Sequence, residues 1–396
     1  MPLGLYIAVP FCRTKCTYCN FASGVFPREL FERYVRRVCT EIERSRQTAL
    51  HMGGLLEGRV DSIYLGGGTP TLLDVAQLER IFVTIRQNFE LAPDAEITVE
   101  YAPGAPSDRV FDACARWGVN RVSLGVQSFI DQEAAVVGRL HKRAMVLEDV
   151  ARLRSLGIRN LNLDLIAGLP HQTRESWETS LDELISLDLP HASIYMLEVD
   201  EDSRLGRELV AGGRKYHAHF VPDDDLTAEL YETACERLNR ARVRQYEISN
   251  FARAGFESRH NLKYWTRQPY LGFGLDAHSM LYGRDGAAAV RFSNPDQLDE
   301  YLAGGRPACT PVSARSSIEE AFFLGLRLNR GVDLKRMAEQ LGEAPVGEYS
   351  AKISGLAAAG LLANEGGLIR LTARGRLLSN EVFEQFLSDG SGGGSL

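Results

Sequence analysis

The sequence predicts an α/β fold: a partial, TIM-like barrel of six β/α units, followed by a C-terminal extension that ends in a small helical, winged-helix-like domain. In the first part of the chain, short runs rich in Val, Ile and Leu alternate with segments of helical periodicity. Helical crossovers between short buried runs imply parallel pairing. The six predicted strands are 5–9, 60–65, 96–101, 121–126, 160–166 and 192–197.

The segments between these strands carry the spacing of amphipathic helices. The clearest has apolar residues that recur on one helix face, at Val75, Leu78, Ile81, Phe82, Ile85 and Phe89. Further helices are predicted over 31–44, 108–117, 144–156 and 176–187. The six strands and their crossovers together make residues 1–240 the predicted barrel.

The pattern changes after about residue 240. Residues 246–251, 274–281 and 288–292 are predicted strands in a β-rich extension over 241–312. A helix over 318–328, two shorter helical patterns, a small hairpin and a last helix from Gly375 predict a winged-helix-like domain over 313–387. Residues 388–396 are predicted to be a flexible tail. Winged-helix domains often bind DNA, but the mixed local charge argues against nucleic acid as a partner.

Composition places the chain among ordinary globular proteins. It has 396 residues, 44% of them apolar and 24% charged, with a net charge of −7. No apolar run approaches the roughly 18 residues of a membrane span. The start of the chain has no signal-peptide pattern, and seven cysteines, an odd number, suit a reducing compartment. These features predict a cytoplasmic protein.

The strongest motif is a run of three cysteines directly after the first strand. Cys12, Cys16 and Cys19 have C-x3-C-x2-C spacing. Three thiolates on one loop can bind three irons of a [4Fe–4S] cube, which leaves the fourth iron open to a small molecule, whereas electron-transfer clusters usually take four cysteines. The alternatives are a zinc site or three unrelated thiols. Zinc sites usually pair two C-x2-C units, and the remaining cysteines are scattered singly.

This spacing resembles that of the radical S-adenosylmethionine (SAM) superfamily. The resemblance implies that the amino and carboxylate groups of SAM chelate the open iron, and that an electron from the cluster can cleave SAM to a deoxyadenosyl radical. It also implies a partial barrel of six units. The run Gly66-Gly67-Gly68-Thr69-Pro70, after the second predicted strand, is similar to the glycine motif that binds the methionine moiety of SAM.

Polar residues at the ends of the predicted strands favour a polar ligand at the barrel mouth. A glycine run lets a backbone approach a ligand closely, and Thr69 is expected to cap the next helix with Pro70 in its first turn. Glu100, Gln127 and Asp164 end or nearly end successive strands. The alternative for each of these three residues is a polar side chain in solvent at the end of a strand. Arg139 is a candidate to bind the carboxylate of SAM, and its alternative is a surface arginine.

The resemblance implies SAM contacts at a defined set of positions, to which Leu197 or Glu198 is a weaker addition. The set is Tyr6, Tyr18, Gly67, Gly68, Thr69, Glu100, Gln127, Arg139 and Asp164.

Further runs resemble the coproporphyrinogen III dehydrogenase-related group of this superfamily, and the likeness extends from Tyr6 to about Phe386. These runs are 163–170, 245–251, 270–274 and 277–279. The group contains a dehydrogenase that decarboxylates propionate side chains and a branch of haem chaperones. The dehydrogenase has a further cysteine where Phe21 stands, and an N-terminal extension where only eleven residues precede Cys12.

His260-Asn261-Leu262-Lys263-Tyr264-Trp265 matches the HNxxYW motif that the chaperone branch associates with haem. A neutral imidazole is a common axial ligand of haem iron, and the rings of Tyr264 and Trp265 offer flat apolar faces to a porphyrin. The alternative is a hydrogen-bonded structural histidine beside a core tryptophan.

Other side chains of the sequence compete for the same roles. Lys263 and Arg259 are candidates for the haem propionates, and His278 and His141 are rival axial ligands.

The resemblance therefore implies a haem chaperone that holds a [4Fe–4S] cluster, SAM and haem, and passes haem to acceptor haemoproteins. It further implies respiratory enzymes as acceptors, peripheral contact with a membrane and homodimer formation. The competing hypothesis is a radical-SAM oxidoreductase that acts on coproporphyrinogen III or another porphyrin. On balance, the substitution at Phe21 favours the chaperone over a coproporphyrinogen dehydrogenase.

Overall fold

Six parallel strands form the centre of the structure, a computed structural model that describes residues 1–56, 58–105, 107–284 and 288–388. All six strands predicted for the first part of the chain are confirmed, within a few residues of their expected bounds. The strands are β1 (Leu3–Val9), β2 (Gly54–Leu55), β3 (Val60–Gly67), β4 (Leu91–Tyr101), β5 (Arg121–Gln127), β6 (Asn160–Ala167), β7 (His191–Met196), β8 (Arg244–Gln245), β9 (Asn250–Ala252), β10 (Tyr270–Phe273), β11 (His278–Gly283), β12 (Ala289–Ser293), β13 (Ala308–Val312), β14 (Val332–Asp333), β15 (Leu362–Glu365) and β16 (Leu368–Leu371).

Helices connect the strands as the periodicity predicts. They are α1 (Glu29–His51), α2 (Val75–Asn88), α3 (Asp108–Arg116), α4 (Asp131–Val136), α5 (Arg143–Ser155), α6 (Arg174–Ser186), α7 (Arg204–Ala211), α8 (Asp224–Arg240), α9 (Arg259–Trp265), α10 (Leu298–Leu302), α11 (Ala314–Leu326), α12 (Leu334–Leu341), α13 (Glu343–Gly347), α14 (Ser350–Ala358), α15 (Ala373–Leu377) and α16 (Ser379–Glu384). Short 3₁₀ helices lie at Pro70–Leu72 and Ala218–Phe220.

In the described residues, 13 strands form one large sheet, ordered β13-β12-β11-β10-β1-β3-β4-β5-β6-β7-β9-β8, with β2 added to β11. Neighbours from β10 through β1 and β3 to β7 are parallel. The seventh parallel strand, β10, was not expected. The prediction of a single strand over 274–281 was wrong, because Gly274 and Asp276 have φ of 102° and 55° and turn the chain between β10 and β11.

A second predicted strand, over 246–251, is interrupted. The backbone N–H of Tyr246 donates to the carbonyl of Asn250, so the chain turns between β8 and β9. The side chain of Glu247 accepts from the backbone N–H of Ser249 and stabilises that turn. The third, 288–292, corresponds closely to β12.

Strand alternation divides the parallel sheet into an apolar face and a polar face. Leu5, Ile7 and Val9 of β1 belong to the main core, to which α1, α2, α3, α5, α6 and α8 contribute side chains. The residues between these, whose side chains point to the other face of the sheet, are often polar. We define the polar face by five buried residues: Ser62, Thr98, Ser123, Asn162 and Ser193. The amide of Asn162 donates to the hydroxyls of Ser123 and Ser193 on the two neighbouring strands. Such mutual bonds satisfy polar groups that would otherwise be costly to bury.

The C-terminal part has a core of its own. Phe322 of α11 stacks on Phe386 at 4.6 Å between ring centroids, and Tyr349 packs against both. A three-stranded sheet, β14-β16-β15, covers this cluster. By contrast, the main core continues from Leu3 to Tyr301, so most of the predicted extension shares the core of the parallel sheet. Residues 389–396 of the predicted tail lie outside the described residues.

No helix in the described part of the chain is both long and apolar enough to cross a membrane.

Candidate functional site

The cysteine loop follows β1 at the carboxyl end of the parallel sheet. The backbone N–H of Cys12 donates to the carbonyl of Gly24, which folds the loop back on itself. The backbone N–H of Thr17 donates to the carbonyl of Val137, and the carbonyl of Thr17 accepts from Leu205 at the start of α7. The loop is therefore held from both sides, by the segment after α4 and by α7.

The three thiols of this loop are half-buried and close enough to influence one another. Burial raises the pKa of Cys12, the Ser23 hydroxyl opposes this, and the neighbouring Cys19 and Cys16 thiolates raise it further. In the described residues, no three His, Cys, Asp or Glu side chains converge as one metal ion requires. A cube binds each thiolate at a different iron, so the three thiols need not converge on one point to hold it.

The glycine turn after β3 lies against the cysteine loop. Gly67 has φ of 101°, a conformation that favours glycine. A Cβ at Gly68 would lie 2.8 Å from the carbonyl oxygen of Phe11. The backbone N–H groups of Gly68 and Thr69 donate to the carbonyls of Val9 and Phe11. The close packing of these two backbone segments requires glycine even in the absence of a ligand. It also leaves little side-chain bulk in this wall of the site, beside the cysteine loop.

Thr69 takes the N-cap position of the next helix, the 3₁₀ helix at Pro70–Leu72, with Pro70 in its first turn as predicted, but the expected capping bond was wrong because the Thr69 side chain makes none. Asp74 caps α2 instead, in a reciprocal pair of bonds with Gln77. The hydroxyl of Thr69 is therefore not engaged in capping at the site.

Glu100, at the end of β4, has an electrostatic environment that favours its neutral form. It accepts from the hydroxyl of Tyr64 at 2.6 Å and from the backbone N–H of Gly67 at 3.2 Å. Burial raises its pKa to about 7, the Tyr64 bond lowers it, and the Asp164 carboxylate raises it. Burial raises the pKa of Asp164 as well, against bonds from Ser193 and Asn162. Both carboxyls are thus desolvated, and Asp164 lies close enough to Glu100 to act on it electrostatically.

Gln127 and Arg139 supply unpartnered polar atoms beside these carboxyls. Gln127 has φ of 70°, unusual for a residue with a side chain. Its Oε1 is buried and has no hydrogen-bond partner among the described residues, and the same holds for Nε of Arg139. The guanidinium of Arg139 donates to the hydroxyl of Tyr18 at 3.0 Å. A buried acceptor without a partner and a guanidinium whose Nε has no partner fit an amino acid's ammonium and carboxylate groups.

A cavity of about 300 Å³ opens beside the cysteine loop. The structure brings three of the expected SAM contacts to its wall: Tyr6, Gly67 and Glu100. Phe21 lies on the same wall and is 65% exposed. Arg139 and Asp164 act electrostatically on Glu100, but neither of them nor Gln127 lines this cavity. The predicted SAM contacts remain predictions, and three of them share the cavity wall.

Helix α9, which carries the HNxxYW motif, packs against the part of the polar face away from the cysteine loop. The backbone N–H groups of Arg259 and His260 donate to the Glu96 carboxylate, which caps the helix. The His260 ring is 1% exposed, and both its nitrogens are engaged: Nδ1 with the Ser62 hydroxyl at 3.0 Å and Nε2 with the Tyr264 hydroxyl at 2.9 Å. Ligation of haem iron by His260 would require this ring to leave those bonds.

The other members of the motif are also packed. Lys263 is 1% exposed, forms an ion pair with Asp61 at 2.7 Å and donates to the carbonyl of Pro2. Trp265 lies under the guanidinium of Arg327 at 4.4 Å. Tyr264 alone reaches the cavity, where its ring packs edge-on against Tyr270 at 4.6 Å. The motif therefore contributes one side chain to the floor of the cavity.

The remaining candidates fall in different places. His141 is buried against the carbonyl of Val126, and burial lowers its pKa to about 4. His278 is exposed at the cavity rim and lies 3.7 Å from Asp276. Arg259 forms an exposed ion pair with Asp94. Leu197 packs with Tyr18 in a small apolar cluster.

A group of histidines near the cysteine loop was missed at the level of sequence. Nε2 of His171 lies 3.0 Å from Nδ1 of His217, and the ring of Phe220 packs between those of His171 and His219. The His-x-His spacing of residues 217–219 was a usable signal. Its junction with His171 depends on the loop after β6 meeting the 3₁₀ helix at Ala218–Phe220.

Comparison with known proteins agrees with this site. The family described as "Radical SAM superfamily" matches residues 6–184, and the "HemN C-terminal domain" matches residues 312–378. The solved structure of coproporphyrinogen III oxidase (HemN) from Escherichia coli, described as a radical SAM enzyme, superposes with a TM-score of 0.81 at 25% identity, covering 97% of this chain and 90% of that one. Fold, cysteine loop and glycine turn thus define a radical-SAM protein with a mixed α/β fold.

Relatives that are similar over almost the whole chain identify the family within this class. The haem chaperone HemW of Bacillus subtilis is 35% identical over 97% of this chain and 99% of its own length. HemW of Lactococcus lactis is 33% identical over 98% of both chains. The chain belongs to the HemW family of radical-SAM proteins.

Proposed function

We propose that this protein is a haem chaperone that binds haem, a [4Fe–4S] cluster and SAM, and transfers haem to acceptor haemoproteins. The observation that carries the proposal is the similarity, over almost the whole chain, to relatives named haem chaperone HemW. Phe21 supports it from within the site. It stands where the related dehydrogenase has a further cysteine, and its exposed ring makes the cavity rim apolar.

In this proposal Cys12, Cys16 and Cys19 hold the cluster. Cys16 and Cys19 lie close enough to Cys12 to raise its pKa, on a loop fixed by Val137 and Leu205. The cluster, when bound with SAM, supplies an electron and an open coordination position. The protein's part is to keep the loop closed and to limit water around the thiols, which are half-buried.

SAM is proposed to bind between the cysteine loop and the parallel strands. Arg139 would hold its carboxylate, and the unpartnered Oε1 of Gln127 would accept from its ammonium group. Glu100 and Asp164 would offset the positive charge of the ligand, since both carboxyls lie within electrostatic reach of Arg139, which is proposed to hold its carboxylate. Tyr6, Tyr18, Gly67, Gly68 and Thr69 complete the proposed contacts.

Haem binding is proposed for the motif residues His260, Tyr264 and Trp265. Tyr264 is the member that already lines the cavity. His260 would become available only if the bonds of its ring to Ser62 and Tyr264 were exchanged. The motif can therefore act as a haem site after rearrangement, or as the structural support of the cavity floor.

The finer architecture is part of the same proposal. The parallel strands are proposed to form a partial six-unit barrel over 1–240, with an extension over 241–312 and a winged-helix-like domain over 313–387. The separate core around Phe322 and Phe386 supports the last boundary. A cytoplasmic location, respiratory acceptors, contact with a membrane surface and homodimer formation complete the proposal.

The second candidate is a radical-SAM oxidoreductase that decarboxylates the propionates of coproporphyrinogen III or a related porphyrin. The observation that favours it is the superposition on coproporphyrinogen III oxidase over 97% of the chain. Reconstituted protein, reductant and SAM under anaerobic conditions would then convert coproporphyrinogen III to protoporphyrinogen IX.

Haem transfer tests the first candidate directly. Haem-loaded protein is mixed with an apo-haemoprotein, and the absorption spectrum of the acceptor is followed with and without the reconstituted cluster. Growth of the acceptor spectrum faster than from free haem supports a chaperone. If haem stays on the protein, or coproporphyrinogen III is turned over, the proposal is wrong.

A further inference from the structure

Glu320, a buried carboxylate of α11, joins two segments that flank helix α9. It is 9% exposed and accepts from the guanidinium groups of Arg291 on β12 and Arg267 after α9, at 2.7 Å and 3.1 Å. Each arginine is bound by a different carboxylate oxygen. Buried charges whose hydrogen bonds are satisfied in this way form strong bonds and make their surroundings rigid. Helix α11 is therefore fixed both to the sheet and to the end of α9.

Arg291 extends this connection to the wall of the cavity. Tyr270, Met280 and Arg291 are in register on three neighbouring strands, so their side chains lie on one face of the sheet. The guanidinium of Arg291 donates to the hydroxyl of Tyr270 at 3.1 Å. The ring of Tyr270 packs edge-on against that of Tyr264, in a small apolar cluster separate from the main core. Displacement of Tyr264 therefore disturbs Tyr270 and Arg291.

Tyr264 connects these side chains to the histidine of the motif. Its hydroxyl lies 2.9 Å from Nε2 of His260, while Ser62 engages Nδ1 of the same ring. A ring nitrogen that ligates iron through its lone pair cannot also bond to a hydroxyl. Iron and the Tyr264 hydroxyl thus compete for one nitrogen. Because Tyr264 also lines the cavity, the group that must leave belongs to a side chain of the cavity wall.

A second contact from the end of α11 holds the last turn of α9. The guanidinium of Arg327, the residue after α11, lies 4.4 Å from the centre of the Trp265 ring. The backbone N–H of Arg267 donates to the carbonyl of Tyr264. Arg267 has φ of 52°, a conformation that is uncommon for a residue with a side chain and that its surroundings must maintain. The last turn of α9 is thus attached to α11 by a stacked cation and by the Glu320 ion pair.

We infer that Glu320 is a positioning residue for the haem ligand His260. It acts through Arg291 and Tyr270, which hold the hydroxyl of Tyr264 on the ligating nitrogen and so limit the access of iron. This inference rests on the proposed haem-chaperone function, and it gives the C-terminal part of the chain a role in haem ligation. Loss of Glu320 makes displacement of Tyr264 easier, so that ligation by His260 becomes faster.

Haem association with the full chain, after reconstitution of its cluster, tests the inference. The variants are Glu320→Gln, Tyr264→Phe and the double variant. Rapid-mixing Soret absorption gives the rate, and electron paramagnetic resonance gives the axial ligation, which should stay that of His260. We expect Glu320→Gln to accelerate association by about fivefold and Tyr264→Phe by at least as much. The double variant should be no faster than Tyr264→Phe, because Glu320 acts through the hydroxyl that this variant removes.

The matched control is Glu319→Gln, one position earlier on α11. It breaks a partly buried ion pair with Arg315 and leaves the contacts of Glu320 in place. The rate of haem association should stay within about twofold of the unmodified protein. Circular dichroism and urea unfolding establish that all variants are folded.

A measurement without haem separates this inference from the proposed function. Diethyl pyrocarbonate modifies neutral imidazole nitrogens, and mass spectrometry of the peptide that carries His260 follows the reaction. We expect His260 to react several-fold faster in Glu320→Gln than in the unmodified protein or in Glu319→Gln, because its Nε2 is released more often.

Unchanged haem association and unchanged reactivity of His260 in Glu320→Gln would overturn the inference and leave haem binding intact. Equal acceleration by Glu319→Gln would also overturn it, since general loosening of α11 would then be the cause. The same holds if the double variant is faster than Tyr264→Phe. If the unmodified protein binds no haem, the proposed function is refuted, whereas faster modification of His260 in Glu320→Gln would still support the positioning role.

Discussion

Nε2 of His260 lies 2.9 Å from the hydroxyl of Tyr264, one helical turn further along α9. This bond joins a ring buried against Ser62 to a side chain that lines the cavity. Burial, with Lys263 as a second cause, lowers the pKa of His260 to about 3, so the ring is neutral at physiological pH. The motif histidine thus fixes the position of Tyr264 in the cavity wall, in addition to any further role.

Replacing His260 is expected to destabilise the protein even without haem. His260→Ala removes two hydrogen bonds and leaves the buried Ser62 hydroxyl unpaired, at a cost of about 2–4 kcal/mol. Urea unfolding of the haem-free protein measures this change. Tyr264→Phe is the matched variant, because it removes one bond and keeps the ring. Equal stability of His260→Ala and the unmodified protein would contradict the structural role.

Acid should weaken the folded state through the same residue. The unfolded chain binds a proton at His260 near pH 6.5, whereas the folded chain does so only near pH 3. Stability from this group is therefore complete above pH 6.5 and falls as pH decreases towards 3, by up to about 1.4 kcal/mol per unit. His141 and His191, both with lowered pKa, act in the same direction.

The measurement is urea unfolding from pH 7.5 to 4.5, with His260→Gln as the control. The control should show a smaller loss of stability over this range, because its side chain does not titrate. An unchanged slope in His260→Gln would show that other groups set the acid sensitivity.

Short runs rich in Val, Ile and Leu, separated by segments of helical periodicity, predicted most of the fold, and particular residues show where these patterns failed. Leu5, Ile7 and Val9 make the run before the cysteine loop recognisable as a strand, and all three belong to the main core. The failure between 270 and 283 came from Gly274, whose positive φ ends β10. Whether the chain turns here depends on how closely Gly274 packs against Ala8 and Tyr34. These residues are distant in the sequence, so a local pattern does not reveal the contact.

Affinity for SAM should increase as pH rises through about 7. Burial raises the pKa of Glu100 to about 7, and a cationic ligand is attracted to the ionised carboxylate. Since Glu100 loses its proton over this range, binding becomes stronger above it and weaker below it. Isothermal titration of the reconstituted protein at pH 6, 7 and 8 measures the effect.

Glu100→Gln is the matched variant for this experiment, since it keeps the shape of the side chain and cannot ionise. Its affinity should stay nearly constant over the same range. A pH dependence equal to that of the unmodified protein would show that ionisation of Glu100 does not cause the change in affinity.

Each cysteine of the loop is expected to be needed for iron. Cys12→Ser, Cys16→Ser and Cys19→Ser should each lose the brown colour after anaerobic reconstitution, because a cube held by two thiolates is labile. Iron and sulfide analysis measures the loss. Cys309→Ser is the control, since Cys309 is an exposed cysteine of β13. Full iron content in a loop variant would exclude that residue as a ligand.

The site was less accessible to sequence reasoning than the fold. Spacing places three cysteines on one loop, but it does not reveal that His260 contacts Ser62, 198 residues away. The motif suggested either an axial ligand for haem iron or a hydrogen-bonded structural histidine, and packing of α9 on the polar face buries that histidine. Likewise, the meeting of His171 and His217 depends on how the loop after β6 packs on the segment before α8.

Arg139 offers the sharpest test of the proposed SAM site. It donates to the hydroxyl of Tyr18, and its Nε has no hydrogen-bond partner in the described part of the chain. A planar guanidinium can hold a carboxylate with two parallel bonds, whereas an ammonium group holds it with one. We expect Arg139→Lys to weaken SAM binding by about tenfold and Arg139→Ala by about a hundredfold, with iron content unchanged. Tyr18→Phe, which removes the partner of Arg139 but keeps the cation, should bind SAM within about threefold of the unmodified protein. Titration calorimetry under anaerobic conditions measures all three. Equal losses in Arg139→Ala and Tyr18→Phe would instead assign Arg139 to support of the cysteine loop.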